Sequence, residues 1–456
     1  MITALGIQMD QSTMYWDSSP WFYGLPNCWR DDRILQNKPF HRHAKLLQVT
    51  NEKYGSVFKT NLVGQPLVVS ADPEVNRFIF QQEGKLFRSW YPETANIIIG
   101  KKSIDEFNGA VQKFVRTFAS RLFGLEYLKQ ELLPELENAM SESFAEWATK
   151  PSIEVHECAT DVMFDLVAKK LIGLDPIKSR ELRKNYNAFL QGLISFPIYF
   201  PGTTFYKCMQ GRKNMQKIMS DLLKERLSAP QKKHGDLLDL IVEELQSEKP
   251  TIDEKFSIDA LAALLFTSFV TMAPTLTLAF KFLSDNPKVL EALKEEHDTI
   301  VKNRENVNSR FTWEEYKSLT FTNLVVNELT RMSNVTPGIF RKTLTDVQVN
   351  ELYNSGWVDG HDEPHGNSSK FKFFLKIHST LIHEEPKRTR LLKNFVPFGL
   401  GIRACPATEF SKLFIALFLH VLVTKYRWKE IKGGEVSRKA VIMFPQGYEI
   451  KLLPTM

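Results

Sequence analysis

The sequence predicts a mainly α-helical fold with small β-sheets, organised as a single large domain. Apolar residues recur at helical spacing from about 130 to 246, again between 257 and 332, and in a last segment at 407–426. Strand-like segments are short and lie near the two ends of the chain, and no internal repeat or interdomain linker interrupts its 456 residues. With 43% hydrophobic and 12% aromatic residues, the chain can bury a sizeable core, which excludes a disordered protein.

Charge and cysteine content narrow the class of protein further. The 59 Lys and Arg residues against 53 Asp and Glu residues give a formal charge of +6 without a dominant basic block. This pattern fits a membrane-facing surface or an acidic partner better than nucleic acid. The cysteines Cys28, Cys158, Cys208 and Cys405 are far apart, so the spacing suggests neither a disulfide framework nor a zinc site, and a reducing compartment is expected.

The first elements are predicted from local patterns. Residues 1–44 form an atypical segment that is too short in apolar runs for a signal peptide or a membrane anchor. Residues 54–62 and 67–70, joined across the turn residues Gly64 and Pro66, are predicted to form an antiparallel hairpin. Asp72 and Pro73 then predict the start of a helix.

The helical middle of the chain is broken once, by a proline-bounded aromatic loop at 195–203. A turn that plugs the core is the more ordinary interpretation of such a loop. A mobile apolar gate that admits lipid-like molecules is the functional alternative.

Further helices are predicted at 257–283, 286–301, 312–318, 322–332 and 407–426, followed by a closing hairpin of 441–444 with 448–452. Residues 260–280 carry no charge and are long enough to cross a bilayer. Their five hydroxyl residues and Pro274 favour a buried central helix instead.

The most specific motif is the decapeptide FGLGIRACPA at 398–407, in which Cys405 sits in a glycine-rich loop directly before an apolar helix. A helix N-terminus and nearby backbone N–H groups favour an ionised sulfur, and glycines let the backbone approach a flat cofactor. Arg403 can neutralise an anionic edge. These residue types point to a thiolate presented to a metal.

The decapeptide resembles the haem-ligand loop of the cytochrome P450 superfamily, F-x-x-G-x-R-x-C-x-G. Phe398, Gly401, Arg403 and Cys405 match it, and Ala407 stands where glycine is usual. The resemblance implies a haem-thiolate monooxygenase domain over residues 45–456, haem b as cofactor and Cys405 as the iron ligand. In short local motifs, such as Pro201-Gly202-Thr203 and the segment 395–399, the chain most resembles plant sterol, brassinosteroid and triterpenoid hydroxylases.

The same resemblance assigns roles to other residues. Glu328 and Arg331 are similar to the family's E-x-x-R pair, a buried structural clamp behind the haem. Arg341 and Arg403 are expected at the haem propionates, because a guanidinium pairs with a carboxylate bidentately. Lys113 and Arg116 lie on the helix where the family places another propionate contact, although the usual pattern there is blurred.

The oxygen-activating helix of the family carries an acid followed by a threonine. Here Val270 and Thr271 occupy these positions, so the catalytic hydroxyl is present and the acid is not. General acid-base groups typically contribute about 10²–10⁴-fold to a rate, which predicts slow or uncoupled turnover. Pro274 is expected to kink the helix beside this site.

The chain departs most from the family between 342 and 394. The family would supply sheet strands there and a proline-rich stretch ending in an arginine that locks the E-x-x-R pair. Only Gly356 and Trp357 resemble the expected pattern, and either Arg388 or Arg390 could replace the missing arginine.

The implied function is hydroxylation of an apolar steroid- or triterpenoid-like substrate with dioxygen. Electrons would come from NADPH through a separate flavoprotein reductase. A membrane surface is an expected partner, on the cytosolic face of the endoplasmic reticulum, and nucleic acid is not. Two alternatives stay open: a degenerate, non-catalytic haem-binding protein of the same fold, and a haem-thiolate isomerase or dehydratase, which needs no dioxygen protonation.

Overall fold

The computed structural model describes residues 55–62, 65–91, 109–192, 195, 197–306, 309–336, 338–345, 347, 372–376, 395–438 and 442–455. Within these residues helices dominate and the strands form small sheets, which confirms the predicted fold class.

The described helices are numbered in chain order. They are α1 Pro73–Gln81, α2 Gly109–Phe123, α3 Leu125–Tyr127, α4 Leu133–Thr149, α5 Val155–Ile172, α6 Pro176–Gly192, α7 Thr204–Ser228, α8 Leu237–Leu245, α9 Glu254–Asp285, α10 Pro287–Lys302, α11 Trp313–Ser318, α12 Thr320–Ser333 and α13 Thr408–Lys425. A π-helical turn, Leu128–Leu132, joins α3 to α4, and a 3₁₀ turn, Gly401–Arg403, precedes α13.

The strands are β1 Val57–Leu62, β2 Gln65–Ser70, β3 Phe87–Ser89, β4 Ile153–Glu154, β5 Gly338–Thr343, β6 Lys372–Lys376, β7 Tyr426–Gly433, β8 Ser437–Arg438, β9 Ile442–Met443 and β10 Tyr448–Pro454. The largest sheet has the order β1-β2-β6-β5-β3, in which β6 runs parallel to β2 and antiparallel to β5. Strand β6 lies between residues 342 and 394, where the sequence departs most from the family, so this divergent window still supplies a sheet strand. Most of the window, with Gly356, Trp357, Arg388 and Arg390, lies outside the described residues.

Local capping explains where several helices begin. The predicted hairpin forms between β1 and β2, with Val57 opposite Ser70. The Asp72 carboxylate then accepts hydrogen bonds from the backbone N–H groups of Glu74 and Val75 at 2.9 and 3.0 Å, which starts α1 as predicted. Asp253 caps α9 in the same way through the N–H of Phe256 at 2.6 Å.

Helix α9 is the central helix. It is long and apolar enough to cross a bilayer, with a mean hydropathy of 1.7 over its most apolar stretch. Residues 272–280 are buried without a break, and the helix packs along α5 and α7. The hydroxyls of its threonines and of Ser268 donate to backbone carbonyls of the same helix, so these polar groups are satisfied where they are buried.

Helix α13 forms the other half of the core. Nearly every residue from Phe410 to Val423 is buried. The Phe418 ring lies 5.1 Å from Phe144 of α4 and 5.6 Å from Phe280 of α9, which joins the two central helices through aromatic contacts. The helix that follows Cys405 is therefore anchored deep in the protein.

The predicted closing hairpin is wrong in its pairing. Strand β10 pairs antiparallel with β7, Tyr448 lying opposite Gly433, while β9 pairs with β8. Gly433 has a φ of +76°, and a Cβ there would lie 2.2 Å from the carbonyl oxygen of Gly447. Only glycine permits this close approach. It lets β10 pair with β7 instead of with the predicted segment 441–444.

Candidate cofactor site around Cys405

The loop before α13 is folded so that Cys405 stands at its end. The backbone N–H of Cys405 donates to the carbonyl of Phe398 at 2.8 Å, and the N–H of Ala404 donates to that of Gly401 at 3.1 Å. Both Gly399 and Gly401 have positive φ values, +73° and +67°. The Thr408 hydroxyl donates to the Cys405 carbonyl at 2.8 Å, so the cysteine is tied to the first turn of the helix.

The Cys405 sulfur lies in a half-buried position with two stabilising groups. Burial raises the pKa of the thiol, whereas a hydrogen bond from the backbone N–H of Ala407 and the positive charge of Arg116 act in the opposite direction. If a metal ion binds the Cys405 sulfur, the N–H of Ala407 is already placed to donate a hydrogen bond to the thiolate.

The other described cysteines lack this setting. Burial raises the pKa of Cys158 to about 12 and that of Cys208 to about 11, and both lie within helices, α5 and α7. Cys28 lies outside the described residues. Within the described part of the chain, no group of three or more His, Cys, Asp or Glu side chains is placed to hold a metal ion.

Helix α2 holds the loop from the side. The Arg116 guanidinium donates to the carbonyl oxygens of Ile402 and Ala404 at 3.2 and 2.8 Å, and the Gln112 amide donates to that of Ile402 at 2.8 Å. Arg116 was expected at a propionate, and here one of its nitrogens binds the loop backbone. The Lys113 side chain lies outside what the structure describes.

Gly401 also meets a second element. A Cβ at this position would lie 2.8 Å from the carbonyl oxygen of Phe80, near the end of α1. The glycine is therefore needed for packing of the loop against α1, a contact that the motif alone does not predict. Phe398 is half-buried at the other end of the loop.

Arg341 and Arg403 are brought together by Glu83, a residue that the sequence did not single out. Glu83 Oε2 lies 2.6 Å from Arg341 Nε, and Glu83 Oε1 lies 3.1 Å from Arg403 Nε. The three side chains come from α1's end, β5 and the 3₁₀ turn. Since 83, 341 and 403 are far apart in sequence, no local pattern could have joined them.

The Glu328–Arg331 pair forms on α12. Arg331 Nε and one terminal nitrogen reach the two Glu328 oxygens at 2.7 and 2.5 Å, the bidentate arrangement of an i,i+3 pair. The two side chains are 24% and 28% exposed, so the expectation of a buried pair is wrong: it is partly buried.

Thr271 lies on α9 and is half-buried. Its hydroxyl donates to the carbonyl of Thr267 at 2.9 Å and approaches that of Ser268 at 3.4 Å. Val270 packs against the main apolar core. Among the described residues, the Thr271 hydroxyl has backbone partners and no carboxylate partner. Helix α9 continues through Pro274, and the predicted kink stays a prediction.

The loop between α6 and α7 does not plug the core. The side chains of Ile198, Tyr199 and Phe200 are 60%, 60% and 67% exposed. The Thr203 hydroxyl accepts from the N–H of Tyr206 and donates to the carbonyls of Ile198 and Phe200, which fixes the turn. The core-plugging interpretation is therefore wrong for these residues.

Comparison with known proteins assigns the family. The family model described as Cytochrome P450 matches residues 27–354. "Cytochrome P450 87A3" of Oryza sativa subsp. japonica is 45% identical over 440 residues, 95% of this chain and 86% of the relative. A beta-amyrin 16-alpha-hydroxylase of Maesa lanceolata is 35% identical over 95% of this chain and 92% of its own length. The chain belongs to the cytochrome P450 family and is a haem-thiolate monooxygenase.

Solved structures agree on the fold. A retinoic acid bound cyanobacterial cytochrome, CYP120A1, superposes with a TM-score of 0.72 at 20% identity, covering 90% of this chain and 94% of the other. A second solved structure, a cytochrome P450 named CYP102L1, gives a TM-score of 0.69 at 16% identity, and the match covers 90% of this chain and 98% of the other. These likenesses concern the fold alone.

Family membership implies haem iron, an electron-supplying reductase and a hydrophobic substrate. The residues around Cys405 fit a haem. The thiolate sulfur is a soft ligand that suits haem iron, and the N–H of Ala407 can stabilise its negative charge. The guanidiniums of Arg341 on β5 and Arg403 in the 3₁₀ turn supply positive charge for the anionic edge of the cofactor.

Proposed function

We propose that this monooxygenase hydroxylates an apolar steroid- or triterpenoid-like substrate, with Cys405 as the thiolate ligand of haem b. The observation that carries the proposal is the folded loop at 398–405, which places the sulfur beside an N–H donor at the start of α13. The substrate class rests on relatives named for such compounds: a cucurbitadienol 11-hydroxylase of Siraitia grosvenorii at 35% identity and a cholesterol 22-monohydroxylase of Paris polyphylla at 30%.

Bound haem supplies the reductive activation of dioxygen that oxidises an unactivated C–H bond. Cys405 holds the iron, and the backbone N–H of Ala407 stabilises its negative charge. Arg341 and Arg403 bind the anionic edge of the cofactor. Phe398 and Gly401 shape the loop, and Arg116 holds it from α2. We assign Lys113, on the same helix, to the anionic edge of the cofactor as well.

Thr271 is the residue that moves a proton. Its hydroxyl can donate one hydrogen bond and accept others, and while it donates to the carbonyl of Thr267 its oxygen can accept a hydrogen bond from water. Because Val270 replaces the acid, proton supply depends on water rather than on a neighbouring carboxyl group. Glu328 and Arg331 act as a structural clamp on α12.

The electron donor that we propose is an NADPH-dependent flavoprotein reductase. We place the protein at the cytosolic face of the endoplasmic reticulum membrane. The exposed residues 198–200 suit the approach of an apolar substrate from that surface, because they present large apolar side chains between α6 and α7.

Val270 favours a second candidate, a haem-thiolate isomerase or dehydratase, because such a reaction needs no proton relay to dioxygen. The two functions differ in what they consume. A monooxygenase uses NADPH and dioxygen in a substrate-dependent way, and an isomerase or dehydratase uses neither.

The experiment is to reconstitute the holoenzyme with a plant flavoprotein reductase and to supply beta-amyrin, cucurbitadienol or cholesterol. Consumption of NADPH and dioxygen is followed together with product mass. The proposal predicts substrate-dependent consumption and a product heavier by one oxygen atom. Product formation without NADPH would establish the second candidate, and a holoenzyme that converts none of the three would overturn the proposed substrate class.

A further inference from the structure

Three buried charges meet beside the Cys405 loop. The Glu83, Arg341 and Arg403 side chains are 3%, 5% and 12% exposed. Charged side chains are rarely buried to this degree unless they are paired. Glu83 is the acid common to both ion pairs, at 2.6 Å from Arg341 and 3.1 Å from Arg403.

The position of Glu83 is fixed by its neighbours. It lies two residues beyond the end of α1, and the N–H of the next residue, Gly84, donates to the carbonyl of Phe87 at 2.7 Å. The Ser89 hydroxyl donates to Glu83 Oε1 at 3.4 Å. The contact of Gly401 with Phe80 brings the end of α1 against the turn that carries Arg403. These contacts fix the turn after α1, from which the Glu83 carboxylate reaches both arginines.

The contact with Arg341 is an ion pair without hydrogen-bond alignment. Glu83 Oε2 and Arg341 Nε are 2.6 Å apart, yet neither atom takes part in a hydrogen bond of normal geometry among the described residues. Another nitrogen of Arg341 donates to the carbonyl of Phe340 at 2.8 Å, and its guanidinium carbon lies 6.0 Å above the Phe80 ring. Toward Arg341, Glu83 thus contributes charge rather than a directional bond, whereas Arg403 Nε donates a hydrogen bond to Glu83 Oε1 at 3.1 Å.

Two arginines buried side by side repel each other, so a nearby negative charge such as that of Glu83 stabilises them. Burial lowers the pKa of Arg403, the nearby Arg341 lowers it further, and Glu83 raises it. Two cations and one anion leave the three groups with one net positive charge. A second anion that came to these guanidiniums would be attracted by the arginines and repelled by Glu83.

We propose that Glu83 is an internal counter-anion that offsets part of the positive charge of Arg341 and Arg403 and competes with the haem propionates for them. This proposal rests on the proposed function, because it requires a haem whose propionates reach these two arginines. Glu83 is in this view a positioning residue that sets how tightly the cofactor is held and the electrostatic potential at the iron.

Two consequences distinguish this role from a purely structural one. Removing the negative charge of Glu83 should strengthen the attraction of the arginines for the propionates, which slows haem loss. It should also shift the reduction potential of the iron in the positive direction, because a buried negative charge near the haem disfavours the reduced form. Loss of a merely structural contact would speed haem loss instead.

The test uses Glu83→Gln, which removes the charge at nearly constant shape, with Glu135→Gln as a matched control. Glu135 also pairs with two cations, Lys169 and Lys170, but lies on α4 among other partners. Haem transfer from each ferric holoprotein to apomyoglobin and the reduction potential of the iron are measured. We expect about tenfold slower transfer and a positive shift for Glu83→Gln, and parental values for the control.

Faster haem loss in Glu83→Gln, or a rate and potential equal to those of the parent, would overturn the proposal. If Glu83→Gln does not fold, Glu83→Asp decides the question, since it withdraws the carboxylate by one methylene group. We expect slower transfer there too, and faster transfer would overturn the proposal. A parent protein that binds haem without a thiolate-type carbon monoxide spectrum would instead contradict the proposed function.

Discussion

Arg116 donates a hydrogen bond of 2.8 Å to the carbonyl of Ala404, the residue that precedes Cys405. The same guanidinium nitrogen also reaches the carbonyl of Ile402 at 3.2 Å. Helix α2 thus fixes the backbone from which the sulfur projects. A residue expected to contact the cofactor directly also acts on the loop that carries its ligand.

Arg116→Gln should therefore lower both stability and haem content. Hydrogen bonds from charged groups contribute about 1.5–3 kcal/mol, and a loosened loop would present the thiolate less well. Unfolding by urea and the ratio of haem to protein measure the two effects. Arg121→Gln is the control, because Arg121 is exposed on the same helix. Equal haem content in Arg116→Gln and the parent would show that the tie to the loop is dispensable.

Glu328→Ala should destabilise the protein by about 1–2 kcal/mol. This value lies between those of exposed and fully buried ion pairs, because the side chains are 24% and 28% exposed. A double-mutant cycle with Arg331→Ala isolates the pair energy from other contacts of the two residues. A coupling energy near zero would mean that the pair does not act as a clamp.

Stability should fall on acidification because of two buried histidines. His297 Nδ1 and His420 Nδ1 lie 3.0 Å apart, and the Thr322 hydroxyl lies 3.1 Å from His297 Nε2. Burial lowers the pKa of His297 to about 4 and lowers that of His420 well below its ordinary value. The unfolded chain, with histidine pKa values near 6.5, binds protons that the native state does not.

The contribution of these histidines is therefore fully present above about pH 6.5 and is lost as the pH falls toward about 4, roughly 3 kcal/mol for His297 alone. The free energy of unfolding, measured by urea titration between pH 7 and pH 5, tests this. His297→Gln should flatten the slope, whereas His234→Gln, at an exposed position, should not. An unchanged slope in His297→Gln would refute the assignment.

Val270→Glu should raise the product formed per NADPH consumed, since it returns a carboxylic acid beside Thr271. A general acid typically contributes about 10²-fold or more to a rate, so the gain in coupling should be readily measurable. A peroxide-driven reaction, which bypasses dioxygen protonation, is the control. Activity with peroxide but not with NADPH would locate the defect in the relay, and unchanged coupling in the variant would contradict a limit set by proton supply.

Local patterns predicted much of the fold because the forces that define a helix act within a few residues. The predicted helix at 257–283 is observed as Glu254–Asp285, and Asp72 caps α1 as expected. Strand pairing is not local, so the partner of β10 was missed: the segment 426–433 follows α13 without a turn signal and was not predicted as a strand.

In the candidate site, too, contacts between residues close in sequence could be predicted, and contacts between distant segments could not. The Cys405 loop could be predicted because its residues are adjacent in sequence, and the Glu328–Arg331 contact because it spans one helical turn. Glu83 could not, since its role depends on the tertiary approach of α1, β5 and the 3₁₀ turn. The degree of burial of Glu328 depends likewise on segments that pack over α12, which no pattern within the helix reveals.

The carbon monoxide difference spectrum of the reduced protein reports which side chain ligates the haem iron. The parent and Cys158→Ser should both show the thiolate-type spectrum, because Cys158 lies on α5, where burial raises the pKa of its thiol. Cys405→Ser should lose it, because serine cannot supply the sulfur ligand. Retention of the thiolate-type spectrum in Cys405→Ser would contradict the assignment of Cys405 as the ligand of haem iron.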